Sequence, residues 1–352
     1  MSDNVRRADF LDVARGLAIL GVMAVHTSQH YPSGLWLIDK GLFLGQFGVQ
    51  LFFVISAYTM CMTMQARQHL ERRAILAFWV RRFARLSVPM WVAILVYQAF
   101  AWAGNPHFAA RTHDGWVLLS TALLANGLWP SAMSAAVPGG GSIATEALFY
   151  LIFPALFLLR HRLDGLALVC IVTVIADHAL VRPALTTWLA YPDGSTQSYD
   201  LRQFFHYGIV KQLPVFIMGI AIHTLSTRAG VPPARTIVAW VIAAAVCVAG
   251  STFIAVVGLA SAALLLWLQQ RQAASRVLGW LGQRSYSLYL FHFAVLNGVM
   301  AYWPGTTHNI VQLPAALAAV VSLSCAVAAV TRPALEDMGS ALGRRLVAHW
   351  RL

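Results

Sequence analysis

The sequence predicts an all-α, polytopic membrane protein of about ten transmembrane helices plus one re-entrant or short helix. Three observations carry that prediction. Hydrophobic residues make up 59% of the chain and charged residues only 11%, with a mean hydropathy of +0.66, whereas soluble domains carry roughly 25% charged residues. Apolar runs long enough for a ~30 Å hydrocarbon core recur along the whole chain. Arginines gather in alternate connections between those runs, the bias that orients membrane proteins. A water-soluble globule is excluded on composition. The net charge of +12 is accordingly a topology signal, and no nucleic-acid partner follows from it.

The runs fall at residues 10–27, 42–64, 86–103, 142–159, 163–180, 207–225, 236–250, 252–268, 285–300 and 312–331. Arg6 and Arg7 before the first run imitate a secretory signal, but A-V-H-T-S-Q after it is a poor cleavage site. The run is therefore read as the first span. It holds Asp12, Arg15 and His26, and the eleven positions from Arg15 to His26 place the two within roughly 20° on one helix face, about 16 Å apart along the axis. Asp12 lies near the same face, and Gly16 beside it lets another helix approach. Charged groups at membrane depth are costly and mark pathways or sites, so this stripe is the first candidate site. The spacing equally fits Asp12 and Arg15 among headgroups, with His26 capping the far end.

The second run ends through Ser56 and Tyr58, and the third is preceded by Arg82 and Arg85, one turn apart, with Pro89 expected to alter the helix just beyond. Two guanidinium forks on one face suit phosphate oxygens; snorkelling to lipid headgroups is the competing reading. A short apolar segment from Trp116 to Trp129 decides the orientation of all that follows. If it dips in and returns, with the N-terminus cytoplasmic, Arg72, Arg73, Arg81, Arg82, Arg85, Arg160, Arg162, Arg228, Arg332, Arg344 and Arg345 fall inside, and Lys40, Arg111, Arg182 and Arg202 outside. That bias favours ten crossings with both termini cytoplasmic.

In P-G-G-G-S-I-A-T-E-A-L-F-Y the breaker precedes Ser142, expected as an N-cap, with Glu146 and Tyr150 at successive turns. On this topology that helix starts where His26 ends, so Glu146 is expected to meet and orient the imidazole; an acid near a helix N-terminus is favourable in any case. Lys211, before Pro214, begins a span at the outer leaflet and either contacts substrate or snorkels. Ser285, Tyr289 and His292 share ~60° of one face, a pattern that also serves as polar glue between helices. Cys61, Cys170, Cys247 and Cys325 lack metal-ligand spacing and read as packing residues, and no metal site is expected. The whole chain, 1–352, reads as one membrane domain, with 336–352 a short basic amphipathic tail on the inner leaflet.

Six strings in register, R-x10-H from Arg15 to His26, F-F-V-I-S-A-Y, R-R-x-x-R-L-x-V-P, S-I-x-x-E-x-L-F-Y-L, K-Q-L-P-V-F-I-M-G and S-Y-S-L-Y-L-F-H, resemble the acyltransferase family 3 membrane proteins. The resemblance implies a bacterial inner-membrane enzyme moving an acyl group, commonly acetyl, from cytoplasmic acetyl-CoA or another acyl-CoA to a hydroxyl of an extracytoplasmic glycan or lipid-linked sugar, such as O-antigen or exopolysaccharide. It implies functional roles for Arg15, His26, Arg82, Arg85, Ser142 and Glu146; together with the residue readings above, the expected site is Arg15, His26 and Glu146 for catalysis, Arg82, Arg85 and Arg15 for donor binding, and Ser142, Lys211, Tyr150 and His292 for substrate contact. The chain departs from the family pattern at Ala57, usually Gly, and at Gly141, usually Trp. In the expected mechanism His26 acts as general base or carries the acyl group itself. A transporter or exporter of a glycan or small solute is the alternative, since intramembrane Arg, His and Lys also line transport paths; a scaffold with decayed motifs is a third.

Overall fold

The computed structural model describes residues 3–65, 71–104, 110–188, 196–228, 231–305 and 310–350, and their side chains except at 3–8, 188, 196–198, 251–253 and 255. The side chains of Arg6 and Arg7, and residues 351–352 at the end of the predicted tail, lie outside the description. Among the described residues there is no strand. Seven helical stretches among those residues are long and apolar enough to cross a membrane: Asp9–His30, Trp36–Gln65, Arg72–Trp102, Gly140–Leu158, Leu163–Thr187, Tyr199–Thr227 and Gln312–His349.

In chain order the helices are α1 (Asp3–His30), α2 (Trp36–Phe43), α3 (Gly48–Gln65), α4 (Arg72–Trp102), α5 (Gly115–Ala122), α6 (Gly140–Leu158), α7 (Leu163–Ala176), α8 (Arg182–Trp188), α9 (Thr196–Tyr207), α10 (Ile209–Thr227), α11 (Ala234–Gln270), α12 (Arg276–Gln283), α13 (Ser285–Tyr302), α14 (Gln312–Thr331) and α15 (Asp337–His349). The segment expected at Trp116–Trp129 is the short helix α5 followed by a 3-10 turn. The two spans expected at 236–250 and 252–268 form one helical run, α11. Its contacts reverse along the chain. α10 ends beside Tyr58 of α3, whose hydroxyl meets Ser226 at 3.2 Å, so α11 starts at the Arg15 end of the bundle. Gly250 then lies against Val174 and His178 at the opposite end, and Gly258 against Met218 and Val215, further back along α10. α12 returns to Gly16.

The prolines lie inside continuous helices: α4 runs from Arg72 through Pro89 to Trp102, and α6 through Pro154. Proline frees the carbonyl four residues back, and packed neighbours satisfy such groups in membrane helices. The Trp79 indole donates to the Tyr150 carbonyl at 2.9 Å, the one Pro154 leaves free. Near Pro89, the Tyr286 hydroxyl donates to the Leu86 carbonyl at 2.8 Å.

Close backbone approach fixes how α1 meets its neighbours, as Gly16 led us to expect. A Cβ at Gly16 would lie 2.2 Å from the Leu278 carbonyl oxygen, and one at Gly282 only 1.8 Å from that of Asp12. Neither oxygen belongs to a side chain that can turn away. Gly282→Val is therefore expected to lose about 1–3 kcal/mol, the usual cost of overpacking, read as a lower unfolding midpoint in detergent. An unchanged midpoint would show that α1 and α12 part without cost. The predicted tail is α15, and it packs along α4, with Gly339 against Ala84 and Arg85 and Gly343 against Arg81 and Ala84.

Candidate active site

Two cavities approach each other through the bundle. The first, of about 250 Å³, opens among α1, α3, α4, α6, α12 and α13. Arg15, Arg82, Arg85 and Arg332 line it against the carboxylates of Asp12 and Glu146, so cations outnumber acids. Arg15 donates to Asp12 Oδ1 and to Thr59 Oγ1, each at 2.8 Å, which stretches the guanidinium between α1 and α3. Arg82 lies over the Tyr150 ring, 5.5 Å from its centroid. Arg85 faces Glu336 at 3.7 Å, whose other oxygen accepts from the Ser287 amide and hydroxyl. The result is a ring of held guanidiniums, pre-arranged for a polyanion.

The second cavity, of about 450 Å³, lies toward the other end and is lined by His26, Gln29, Gln46, Arg111, Tyr199, Gln203 and Tyr207, among others. Val49, Ser142 and Tyr289 border both cavities. Ser142 and Tyr289 join hydroxyls at 2.7 Å, and Ser142 donates to the Gly139 carbonyl at 2.9 Å. Gly139, at φ +73°, is the N-cap of α6; its left-handed backbone suits glycine, and a Cβ there would press on the Tyr289 hydroxyl at 3.1 Å. The expected N-cap role of Ser142 is thus corrected: its hydroxyl serves the wall between the chambers.

The family model described as an acyltransferase domain matches residues 8–329, a span that takes in the second cavity whole and every residue lining the first except Arg332. The chain belongs to acyltransferase family 3. It is a membrane acyltransferase. Neither the curated proteins nor the solved structures compared with it gave a match.

Against this identification, the acyltransferase brings most of the expected residues together but redraws two pairings. Arg15, Arg82, Arg85, Glu146, Tyr150 and Ser142 share the first cavity, and His26 and Ser142 the second. Glu146 does not orient His26. Its Oε1 accepts from Ser56 at 2.5 Å and from Tyr150 at 2.7 Å, and it lines the arginine chamber, because α6 turns that face toward α3 and α4. The partner of His26 is His292, Nδ1 to Nε2 at 3.0 Å. Lys211 lines neither chamber: it borders a separate small cavity and faces Asp177 at 3.9 Å, which Arg182 also binds at 2.8 Å.

Sequence reasoning missed Arg332, read only as an inside charge. Arg332 stands alone, without the one-turn pairing that marked Arg82 and Arg85, and its only signal is an arginine directly before Pro333 at the end of a span. It also passed over Arg111, which pairs with Asp200 at 2.7 Å and lies over Tyr199 at the second cavity. The departures from the family pattern have local reasons. A Cβ at Gly219 would come within 2.8 Å of the Ala57 methyl, so a glycine on α10 makes room for alanine on α3. At Gly141 a Cβ would lie 2.5 Å from Met133, leaving no space for a large ring.

Proposed function

We propose that this acyltransferase takes an acyl group, acetyl foremost, from acyl-CoA at the arginine chamber and transfers it to a hydroxyl of a glycan or lipid-linked sugar at the His26 chamber. The observation that carries the reading is the shared wall: an anion-binding chamber and an imidazole chamber enter from opposite ends and meet at Ser142 and Tyr289. The positive-inside bias supports an arginine chamber on the cytoplasmic face and a His26 chamber on the outer face, with both termini cytoplasmic; the family supports a bacterial inner membrane. The arginines fit the nucleotide phosphates of coenzyme A by charge and by fork geometry. The second chamber, with its glutamines, tyrosines and Arg111, offers the planar polar groups and ring faces a sugar requires.

In the transfer, a ring nitrogen of His26 takes the proton of the attacking hydroxyl as its oxygen bonds to the acyl carbon. The carbon–sulfur bond breaks, and His26 returns the proton to the departing sulfur, leaving an ester and free coenzyme A. Such general-base catalysis contributes roughly 10² to 10⁴ in rate. Ser142 and Tyr289 stand where the thioester must pass.

Purified protein in proteoliposomes with labelled acetyl-CoA outside and an oligosaccharide acceptor inside tests the reading. For the fraction inserted with arginines outward, label is expected in a base-labile ester on the enclosed sugar, one coenzyme A thiol appearing per ester. Solute movement without thioester turnover would instead support the exporter.

A further inference from the structure

His292 lies behind His26, away from both chambers. It is fully buried, and its Nδ1 is 2.7 Å from the Tyr289 carbonyl oxygen. A carbonyl only accepts, so His292 Nδ1 must carry the proton. In a neutral imidazole the other nitrogen is then a bare acceptor. That nitrogen, Nε2, lies 3.0 Å from His26 Nδ1. His26 must therefore donate from Nδ1, which leaves His26 Nε2 bare. The ring planes differ by only 23°, with centroids 5.2 Å apart, a separation that fits two imidazoles meeting edge to edge through these nitrogens. Phe293 packs on both rings, 4.4 Å from His26 and 4.1 Å from His292 between centroids, limiting their rotation.

We infer that His292 is a positioning residue that selects the catalytic tautomer of His26: the chain Tyr289 carbonyl, His292, His26 fixes the proton on Nδ1 and presents Nε2 as the base. This inference rests on the proposed acyl transfer for its kinetic consequence, but the tautomer itself does not depend on it. As Nε2 takes the hydroxyl proton, the Nδ1–H bond to His292 becomes charge-assisted and strengthens, so stabilisation grows in the transition state. The chain also couples the base to the wall between the chambers, because Tyr289 supplies both the carbonyl to His292 and the hydroxyl to Ser142. The polarity is one-way: were His26 to carry its proton on Nε2, two bare nitrogens would face each other at 3.0 Å.

Two measurements on the full-length protein in lipid test this. Solid-state nitrogen NMR of histidine-labelled protein, with His26 assigned by difference against His26→Gln, is expected to show a protonated Nδ1 and a bare Nε2. A bare Nδ1 on His26 overturns the inference whether or not the protein transfers acyl groups. Kinetically, His292→Phe keeps the ring's shape without the acceptor and is expected to lower kcat by about 10- to 100-fold, as loss of a supporting partner commonly does, with the donor KM within about twofold. His292→Gln offers an amide oxygen to His26 Nδ1 and is expected to recover most of the loss. A role confined to packing predicts the reverse order, the buried phenylalanine doing as well as or better than the glutamine, and that result also overturns the inference. Wild-type protein without acyl turnover would sink the proposed function, while the NMR outcome would still decide the tautomer.

Discussion

Replacing His26 with alanine is expected to lower acyl transfer by roughly 10² to 10⁴, the span ascribed to a positioned general base. The effect belongs in kcat. His26 lines the second chamber, whereas the cations suited to the donor's phosphates, Arg82, Arg85 and Arg332, line the first. Its removal therefore leaves donor binding intact, and KM for acyl-CoA should stay near its starting value. The unfolding midpoint should fall as well, because alanine leaves the buried His292 Nε2 without its partner, at a cost of about 1–3 kcal/mol. The measurement is the initial rate of labelled acyl transfer in membranes holding equal amounts of the two proteins, with saturating donor. Near-normal transfer by the alanine variant would remove His26 from the chemistry, and the two-chamber mechanism with it.

Removing Arg82 and Arg85 together should give the next largest effect, and it should fall on the donor. Hydrogen bonds to charged groups contribute about 1.5–3 kcal/mol each, so KM for acyl-CoA is expected to rise about tenfold to a hundredfold for each guanidinium lost. Lysine at either position should restore only part of the affinity, since an ammonium lacks the planar fork. A truncated acyl thioester without the nucleotide supplies the control. Its turnover should be the same in wild type and in the Arg82→Ala, Arg85→Ala variant, because the groups those arginines hold are absent from it. Equal losses with both donors would mean that the arginines only support the helices. Arg82 does lie over Tyr150, and Arg85 does face Glu336, so unfolding midpoints should accompany the kinetics.

Much of this architecture was legible in the chain because hydropathy and helical period are local properties. The run of apolar segments gave the helices, the spacing of Arg15 and His26 put both on the inward stripe of α1, and the spacing of Glu146 and Tyr150 put them on one face, where they now share a hydrogen bond of 2.7 Å. Gly16 pointed to a close neighbour, and that neighbour is α12. Boundaries were less legible: α4 begins at Arg72, well before its apolar stretch, because arginine stems extend a helix past the hydrocarbon.

By itself, then, the sequence determined a helical membrane bundle, the family and the face that residues such as Arg15, Glu146 and Tyr150 occupy on their own helices. Only the tertiary structure decided partners. Glu146 turns to Ser56 and the arginines, His26 to His292, Lys211 to Asp177, and Arg332 joins the arginine chamber. The physical reason is that a helical period fixes an angle about one axis but leaves free the rotation of one helix against another. Those rotations are set where backbones touch, at Gly16 on Leu278, Gly282 on Asp12 and Gly219 on Val54, between residues far apart in the chain.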